Sequence, residues 1–211
     1  MVPALEKLVA PEHTALVVQE CQRGVMGDLA ALPALARAAA GPVLENLVRL
    51  VSAARRAGVL VVHCTALRRA DGVGSNHNAR IFRYMAHAER RLEPGSPAAE
   101  IVPEIEVVPS DLVLSRLHGL SPLQGTELDA ILRNRGVRTI VGVGVSVNVA
   151  IQNLSFDAVN AAYQMVVPRD AVAGSPPEYV EAVFEHTLHL IATLVASSEL
   201  IDVWDAAGAA S

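Results

Sequence analysis

The feature that most constrains the fold of this chain is the alternation of short, mostly apolar runs with longer segments of helical spacing. The apolar runs are four to six residues long and lack the polar alternation of a half-exposed strand. Strands of this kind are buried on both faces, as in the parallel sheets of α/β proteins. The predicted strands are Thr14–Gln19, Val59–Cys64, Leu112–Ser115, Arg138–Val143 and Gln164–Val167.

Helical segments separate these runs and predict repeated βαβ units. The predicted helices are Val43–Ala57, Ala79–Arg91, a helix from Thr126 to the stop at Gly136, Val149–Tyr163 and Pro177–Leu194. Leu200–Trp204 is predicted as a sixth strand, at an edge. We therefore expect an α/β, doubly wound three-layer sandwich with a five- or six-stranded, mostly parallel sheet and helices on both faces. No linker divides the chain, so residues 1–211 are predicted to form one domain with a core at about 13–204.

Charge and composition disfavour several classes of function. The net charge is −5 and aromatic residues make up 3% of the chain, so the cations and stacking rings of a nucleic-acid interface are poorly supplied. No uninterrupted apolar stretch reaches the roughly 18 residues of a membrane span. The segment Met1–His13 lacks the basic-then-apolar order of a secretory signal, which favours a cytoplasmic protein.

Metal and cofactor motifs are also missing from the sequence. Cys21 and Cys64 are its only cysteines, and no His-x-His or His-Glu-x-x-His pattern occurs. Gly142 and Gly144 begin a partial dinucleotide fingerprint, but its third glycine is absent and it follows the fourth strand instead of the first. We therefore predict no protein-built metal site and no cofactor.

Ligands of doubly wound sheets bind outside the carboxyl ends of the strands. The polar residues that follow the predicted strands are therefore candidates for the site. Glu20 ends an apolar strand, where a carboxylate is costly unless it is paired or solvated in a cleft. It is therefore either a functional acid or a hydrogen-bonded structural one. His118 follows the third strand and is either a ligand contact or a solvated loop residue. Gly144–Ala150 forms a tight turn after the fourth strand, and backbone N–H groups at such a helix start can hold an anion.

Five segments in register resemble the isochorismatase-like superfamily of cysteine hydrolases, which includes nicotinamidases, N-carbamoylsarcosine amidohydrolase and isochorismatase. The resemblance extends from Thr14 to about Trp204. The segments are Thr14–Gln22 (TALVVQECQ), Ser121–Leu128 (SPLQGTEL), Arg138–Ile151 (RTIVGVGVSVNVAI), Asp157-Ala158 and Asp170-Ala171.

The resemblance implies a catalytic Asp, Lys and Cys, and none of the three stands at its position here. Glu20 occupies the Asp position and Ala150 the Cys position. The Lys position falls on Leu117 by strict count or on Arg116 with a slip of one residue. Arginine keeps the charge but cannot donate its proton. Loss of a catalytic nucleophile can cost about 10⁶ in rate, so conventional cysteine-hydrolase catalysis is predicted to be lost.

The resemblance also implies features of the ligand site. It implies a cis peptide between Val145 and Ser146 and backbone N–H groups from Ser146 to Ala150 that face the cleft. The family's Asp and His metal ligands are not matched, since Cys64–Leu67 stands there. Specificity is expected in the loops Gly72–Asn78, Glu93–Val108 and Leu117–Leu123. The predicted ligand-binding residues are Gln22, His118, Val145, Ser146, Asn148 and Val149.

Three functions remain open at this point. The first is a protein of hydrolase ancestry whose cleft binds a small amide or carboxylate. The second is an active hydrolase of C–N or ether-type bonds, in which Glu20 activates a water and Arg116 or His118 holds the oxyanion, or in which Cys21 or Ser146 replaces the nucleophile. Cys21 follows Glu20 on a strand and should point away from it. The third is a structural or interaction subunit, and a homo-oligomer (dimer or tetramer) is expected.

Overall fold

The computed structural model describes residues 4–209, which form a wholly parallel sheet with helices on both faces, as predicted. Its strands are β1 (Thr14–Gln19), β2 (Leu60–Ala66), β3 (Leu112–Arg116), β4 (Thr139–Val145), β5 (Gln164–Pro168), β6 (Val172–Ala173) and β7 (Thr193–Val195). The main order is β3-β2-β1-β4-β5-β7, and β6 pairs with the end of β4. The sheet therefore has seven strands, where five or six were predicted.

Nine α-helical segments lie within residues 4–209 and connect or flank these strands. They are α1 (Leu5–Leu8), α2 (Pro33–Ala39), α3 (Pro42–Arg56), α4 (Arg80–Ala86), α5 (Leu128–Asn134), α6 (Gln152–Asn160), α7 (Pro177–Val183), α8 (His189–Ile191) and α9 (Ser197–Ala209). π-helical turns at Val147–Ile151 and Phe184–Leu188 lead into α6 and join α7 to α8. Within the described range, no helix has the length and apolar character needed to cross a membrane.

The sheet is buried on both faces because successive strand residues supply two separate cores. On β1, Leu16 and Val18 join the core on one face, whereas Ala15 and Val17 join the core on the other. The first core includes residues of α3 and α9, and the second includes residues of α5 and α6. This explains why β1 shows no polar alternation in the sequence.

The prediction of an edge strand at Leu200–Trp204 is wrong, because these residues lie in α9. Leu200 and Trp204 are one helical turn apart and fully buried, and the Trp204 indole donates a hydrogen bond of 3.0 Å to the Val9 carbonyl. The edge strand is instead β7, which begins at Thr193, inside the range Pro177–Leu194 predicted as one helix. The helical segments of that range end at Ile191. A short apolar run fits either a strand or a buried helix, so its sequence alone did not separate the two.

A buried ion-pair network ties α3 and β2 to the start of β3. Asp111 is almost fully buried and accepts hydrogen bonds from Arg55 (Nη2 at 2.5 Å) and from His63 Nε2 at 3.0 Å. Burial acts to raise the pKa of the Asp111 carboxyl, but its hydrogen bonds with Arg55 and His63 lower it more, so the net direction is down. Burial lowers the pKa of His63, so at neutral pH its uncharged ring donates from Nε2.

We expect Asp111→Asn to lower the free energy of unfolding by about 3 kcal/mol at pH 7, because it leaves Arg55 without its buried anion. A carboxyl with a lowered pKa stabilises the fold above its unfolded pKa of about 3.9, and this stabilisation is lost as the pH falls through the folded value. The difference in the free energy of unfolding between the variant and the parent protein should therefore shrink as the pH falls below about 4. Urea unfolding at a series of pH values measures it, and a gap that does not change with pH would contradict this assignment.

Candidate functional site

Four adjacent strands end at one edge of the sheet and bring the predicted site residues together. Because β1 pairs in parallel with β2 and β4, and β2 with β3, their carboxyl ends lie side by side. Glu20 follows β1, Arg116 ends β3, and Ser146 follows β4. All three line one cavity of 160 Å³, and Ala150 lies in the same wall.

The charged centre of this cavity is an ion pair between Glu20 and Arg116. Arg116 Nη2 donates to Glu20 Oε1, and Gln19 Nε2 donates to the same oxygen at 3.1 Å. The side chains are 5% (Arg116) and 17% (Glu20) exposed, so each charge is compensated away from bulk water. Arg116 Nε and Nη1 are also buried and have no hydrogen-bond partner among residues 4–209.

The backbone of Glu20 is in the left-handed region, with φ of 51°. A non-glycine residue in this conformation costs roughly 1–2 kcal/mol and persists where its surroundings fix it. Here the Glu20 N–H donates to the Cys64 carbonyl at 2.8 Å, and the carboxylate is held by Arg116. Backbone strain of this kind clusters at functional sites, and the apolar pattern around Glu20 contained no signal for it.

The segment after β4 places a methyl group at the position where the resemblance implies a thiol. The Val145–Ser146 peptide is cis, as the resemblance implied. Ala150 follows in the π-helical turn that leads into α6 and is 4% exposed. The N–H of Val149 donates to the Ser146 carbonyl at 3.2 Å, so it is engaged within the turn and is not free to bind a ligand.

The structure brings six of the nine predicted site residues to the cavity wall and leaves three outside it. The six are Glu20, Arg116, His118, Ser146, Val149 and Ala150. Gln22 lies outside, with its side-chain amide bonded to the backbone of Ala66 and to the Ala99 carbonyl, so it cross-links loops. Val145 is fully buried in β4, and Asn148 also lies outside the wall.

Geometry separates the two candidates for the lysine position. Arg116 and Leu117 both line the cavity, but the Arg116 side chain is the one that reaches the Glu20 carboxylate. The Leu117 side chain lies beside Gly74. The cation beside the acid is thus Arg116, the candidate that the sequence reached with a slip of one residue.

The substitute nucleophiles considered from the sequence are poorly arranged for attack. Cys21 lies in the core and outside the cavity wall, and burial raises the pKa of its thiol far above the ordinary value. Burial raises the pKa of the Cys64 thiol to about 12. Ser146 does line the cavity, but its hydroxyl has no hydrogen bond to a histidine or carboxylate within the described chain. A serine needs such a base to become a nucleophile.

An apolar wall completes the cavity, and the sequence did not predict it. Its side chains come from α4, from the segment before and within α2, and from the loop before Glu93; they include Leu32, Leu35, Ile81, Phe82, Met85 and Leu92. Two of the three expected specificity loops contribute, through Ser75 and Asn76 and through residues 117–120, whereas no residue of Glu93–Val108 lines it. The spacing of Ile81, Phe82 and Met85 on one side of α4 was the available signal.

His118 stands in the cavity wall near its opening. Its ring is exposed, and Nε2 donates to the Gly125 carbonyl at 3.2 Å. Over the part of the chain that is described, no three His, Cys, Asp or Glu side chains are grouped so that they could hold a metal ion. Arg116, Glu20 and the surrounding polar groups of this site offer hydrogen bonds and charge pairing.

Comparisons with known proteins agree with the fold and with the resemblance found in the sequence. The family model described as Isochorismatase domain matches residues 14–199. The ureidoacrylate amidohydrolase RutB of Enterobacter sp. (strain 638) is 29% identical over 82% of this chain and 80% of its own length. A cysteine hydrolase from Pseudomonas syringae pv. phaseolicola 1448A superposes with a TM-score of 0.81 at 21% identity, covering 95% of this chain and 96% of that one. The N-carbamoylsarcosine amidase of Thermoplasma acidophilum gives a TM-score of 0.69 at 25% identity, covering 88% and 96%.

Proposed function

This chain belongs to the isochorismatase family, and we propose that within this family of hydrolases it binds a small carboxylate or amide without cleaving it through a cysteine nucleophile. One observation carries the proposal: the cavity keeps a charged pair but has an unreactive methyl group at the position where the family resemblance implies a thiol. Glu20 and Arg116 form an ion pair in the cavity, and the methyl group of Ala150 lies in the same wall.

The Glu20–Arg116 pair supports binding over hydrolysis by an activated water. A general base must accept a proton, and Glu20 Oε1 already accepts hydrogen bonds from Arg116 and Gln19, which leaves only Oε2 for a proton from water. Arg116 Nε and Nη1 have no hydrogen-bond partner within residues 4–209. Each can therefore donate a hydrogen bond to a carboxylate or amide oxygen of a ligand.

The names of the relatives suggest the chemistry of the ligand head group. Ureidoacrylate and N-carbamoylsarcosine, in the names of two similar proteins, are acids that carry an amide-type group. A ligand of this kind offers the oxygens that suit Arg116. The homo-oligomeric state and the cytoplasmic location stay predictions from the sequence.

We expect Arg116→Met to weaken the binding of a small carboxylate by about tenfold to a hundredfold, because a charged hydrogen-bond donor contributes roughly 1.5–3 kcal/mol. Isothermal titration calorimetry with the wild-type protein and the variant measures this. Arg135→Gln, which changes an exposed arginine just after α5, is the matched control and should bind as wild type. Equal affinity in Arg116→Met, with the fold intact by circular dichroism, would overturn the proposal.

A further inference from the structure

The apolar side of α4 faces the cavity and has no other core to join. This helix has no buried residue, and Ile81, Phe82 and Met85 are half-buried side chains on the wall. Leu32, on the same wall, is 41% exposed. Half-exposed apolar side chains around a pocket gain free energy when a ligand removes them from water. This wall therefore fits the apolar body of a ligand better than a purely polar one.

The polar groups of the same cavity leave one positive charge uncompensated. Glu20 neutralises Arg116, whereas Arg68 also lines the cavity and has no carboxylate within salt-bridge distance anywhere in residues 4–209. The two guanidinium groups and the one carboxylate of this wall together carry a net charge of about +1. The Ser75 hydroxyl is a further buried group on this wall without a partner in the described chain. A single anionic head group balances this arrangement.

The size of the cavity limits the apolar body. Its volume is 160 Å³, and an apolar protein cavity of about 150 Å³ holds one benzene molecule. A ligand of about six carbon atoms, its carboxylate included, therefore fills this volume, and a slightly longer chain extends along the half-buried side chains of α4.

We propose that the cleft takes an amphiphilic monocarboxylate of about six to eight carbon atoms in all. This inference rests on the proposed function and makes it narrower. The carboxylate accepts hydrogen bonds from Arg116 and Ser75 and is attracted by Arg68. The apolar body packs against Phe82 and its neighbours on α4.

The test is a calorimetric titration with linear acids from butanoate to octanoate and with their primary amides. Affinity should rise about twofold to fourfold for each added methylene, since burial of one CH₂ is worth that factor. Each acid should bind about fivefold more tightly than its matched amide, and Arg68→Gln should remove this difference. Phe82→Ala should reduce the dependence on chain length. Arg83→Ala, on the exposed side of α4, and Arg135→Gln are the controls and should change neither.

The outcomes distinguish a failure of this inference from a failure of the proposed function. Acids and amides that bind equally at every chain length would overturn the amphiphilic monocarboxylate and leave ligand binding in place. Binding of short polar acids only would do the same. No binding by any acid or amide would overturn both. Cleavage of the amides by the wild-type protein, with the expected dependence on chain length, would overturn the proposed function alone.

Discussion

Restoring the three family side chains in one protein, by Glu20→Asp, Arg116→Lys and Ala150→Cys, is expected to raise the hydrolysis of small amides by about 10³-fold or more. The scaffold already holds the acid and the cation beside each other, and position 150 lies in the wall of the same cavity. A thiol in the turn that leads into α6, in the same cavity wall as a cation, is expected to have a lowered pKa and so to be nucleophilic. Ammonia release from a panel of amides measures the gain over wild type.

Thiol labelling keeps this prediction testable even if the panel lacks a good substrate. Cys21 and Cys64 are buried and their pKa values are raised, so the wild-type chain should react slowly with iodoacetamide. Ala150→Cys alone should add one thiol that reacts about a hundredfold faster. Arg116→Met in that background should slow it again. If the introduced thiol reacts no faster than the buried cysteines, position 150 does not present a side chain to the cavity beside Arg116.

Gly144→Ala is expected to destabilise the fold by more than about 4 kcal/mol, the range reserved for severe packing or backbone conflicts. Gly144 pairs with Gln19 across the β1–β4 ladder and has φ of 100°. A Cβ atom there would lie 2.3 Å from the Gln19 carbonyl oxygen and 2.9 Å from the Cys21 sulfur. The backbone oxygen cannot move without shifting β1, and Glu20 lies at the end of this strand.

A second glycine provides the matched control for this variant. Gly136 also has positive φ, at 69°, but a Cβ atom added to it would meet no atom of residues 4–209 within 4 Å. Gly136→Ala should therefore cost only about 1 kcal/mol, from backbone conformation alone. Thermal and urea unfolding compare the two. Equal small losses would show that close approach of β1 and β4 does not set the geometry at the site.

The strands and the chain positions of most site residues could be predicted, because both have local signals in the sequence. Buried parallel strands appear as apolar runs. Family motifs located Glu20 and Ala150 and left Arg116 and Leu117 as alternatives for the lysine position, although Glu20 and Arg116 are 96 positions apart. The last helix could not be separated from a strand in this way. Its start is held by a contact distant in sequence, since Asp170 accepts hydrogen bonds from the backbone and hydroxyl of Ser197, both at 2.7 Å.

The apolar wall of the cavity was missed because its signal depends on tertiary context. Half-buried side chains such as Phe82 resemble ordinary surface apolar residues in a sequence. These side chains line the cavity only because α4 lies beside the ends of β1 and β3. Gln22 was predicted to bind the ligand, and its bonds to Ala66 and Ala99 were missed for the same reason, because these partners lie far along the chain.

The most direct test of binding without turnover is one NMR sample of wild-type protein with hexanamide. Saturation transfer to the ligand reports binding, and the appearance of hexanoate resonances reports hydrolysis in the same tube. We predict saturation transfer with no more hexanoate than in a protein-free control. Hexanoate formed faster than in that control, and lost in Glu20→Gln, would contradict the account and identify Glu20 as the base of an active hydrolase.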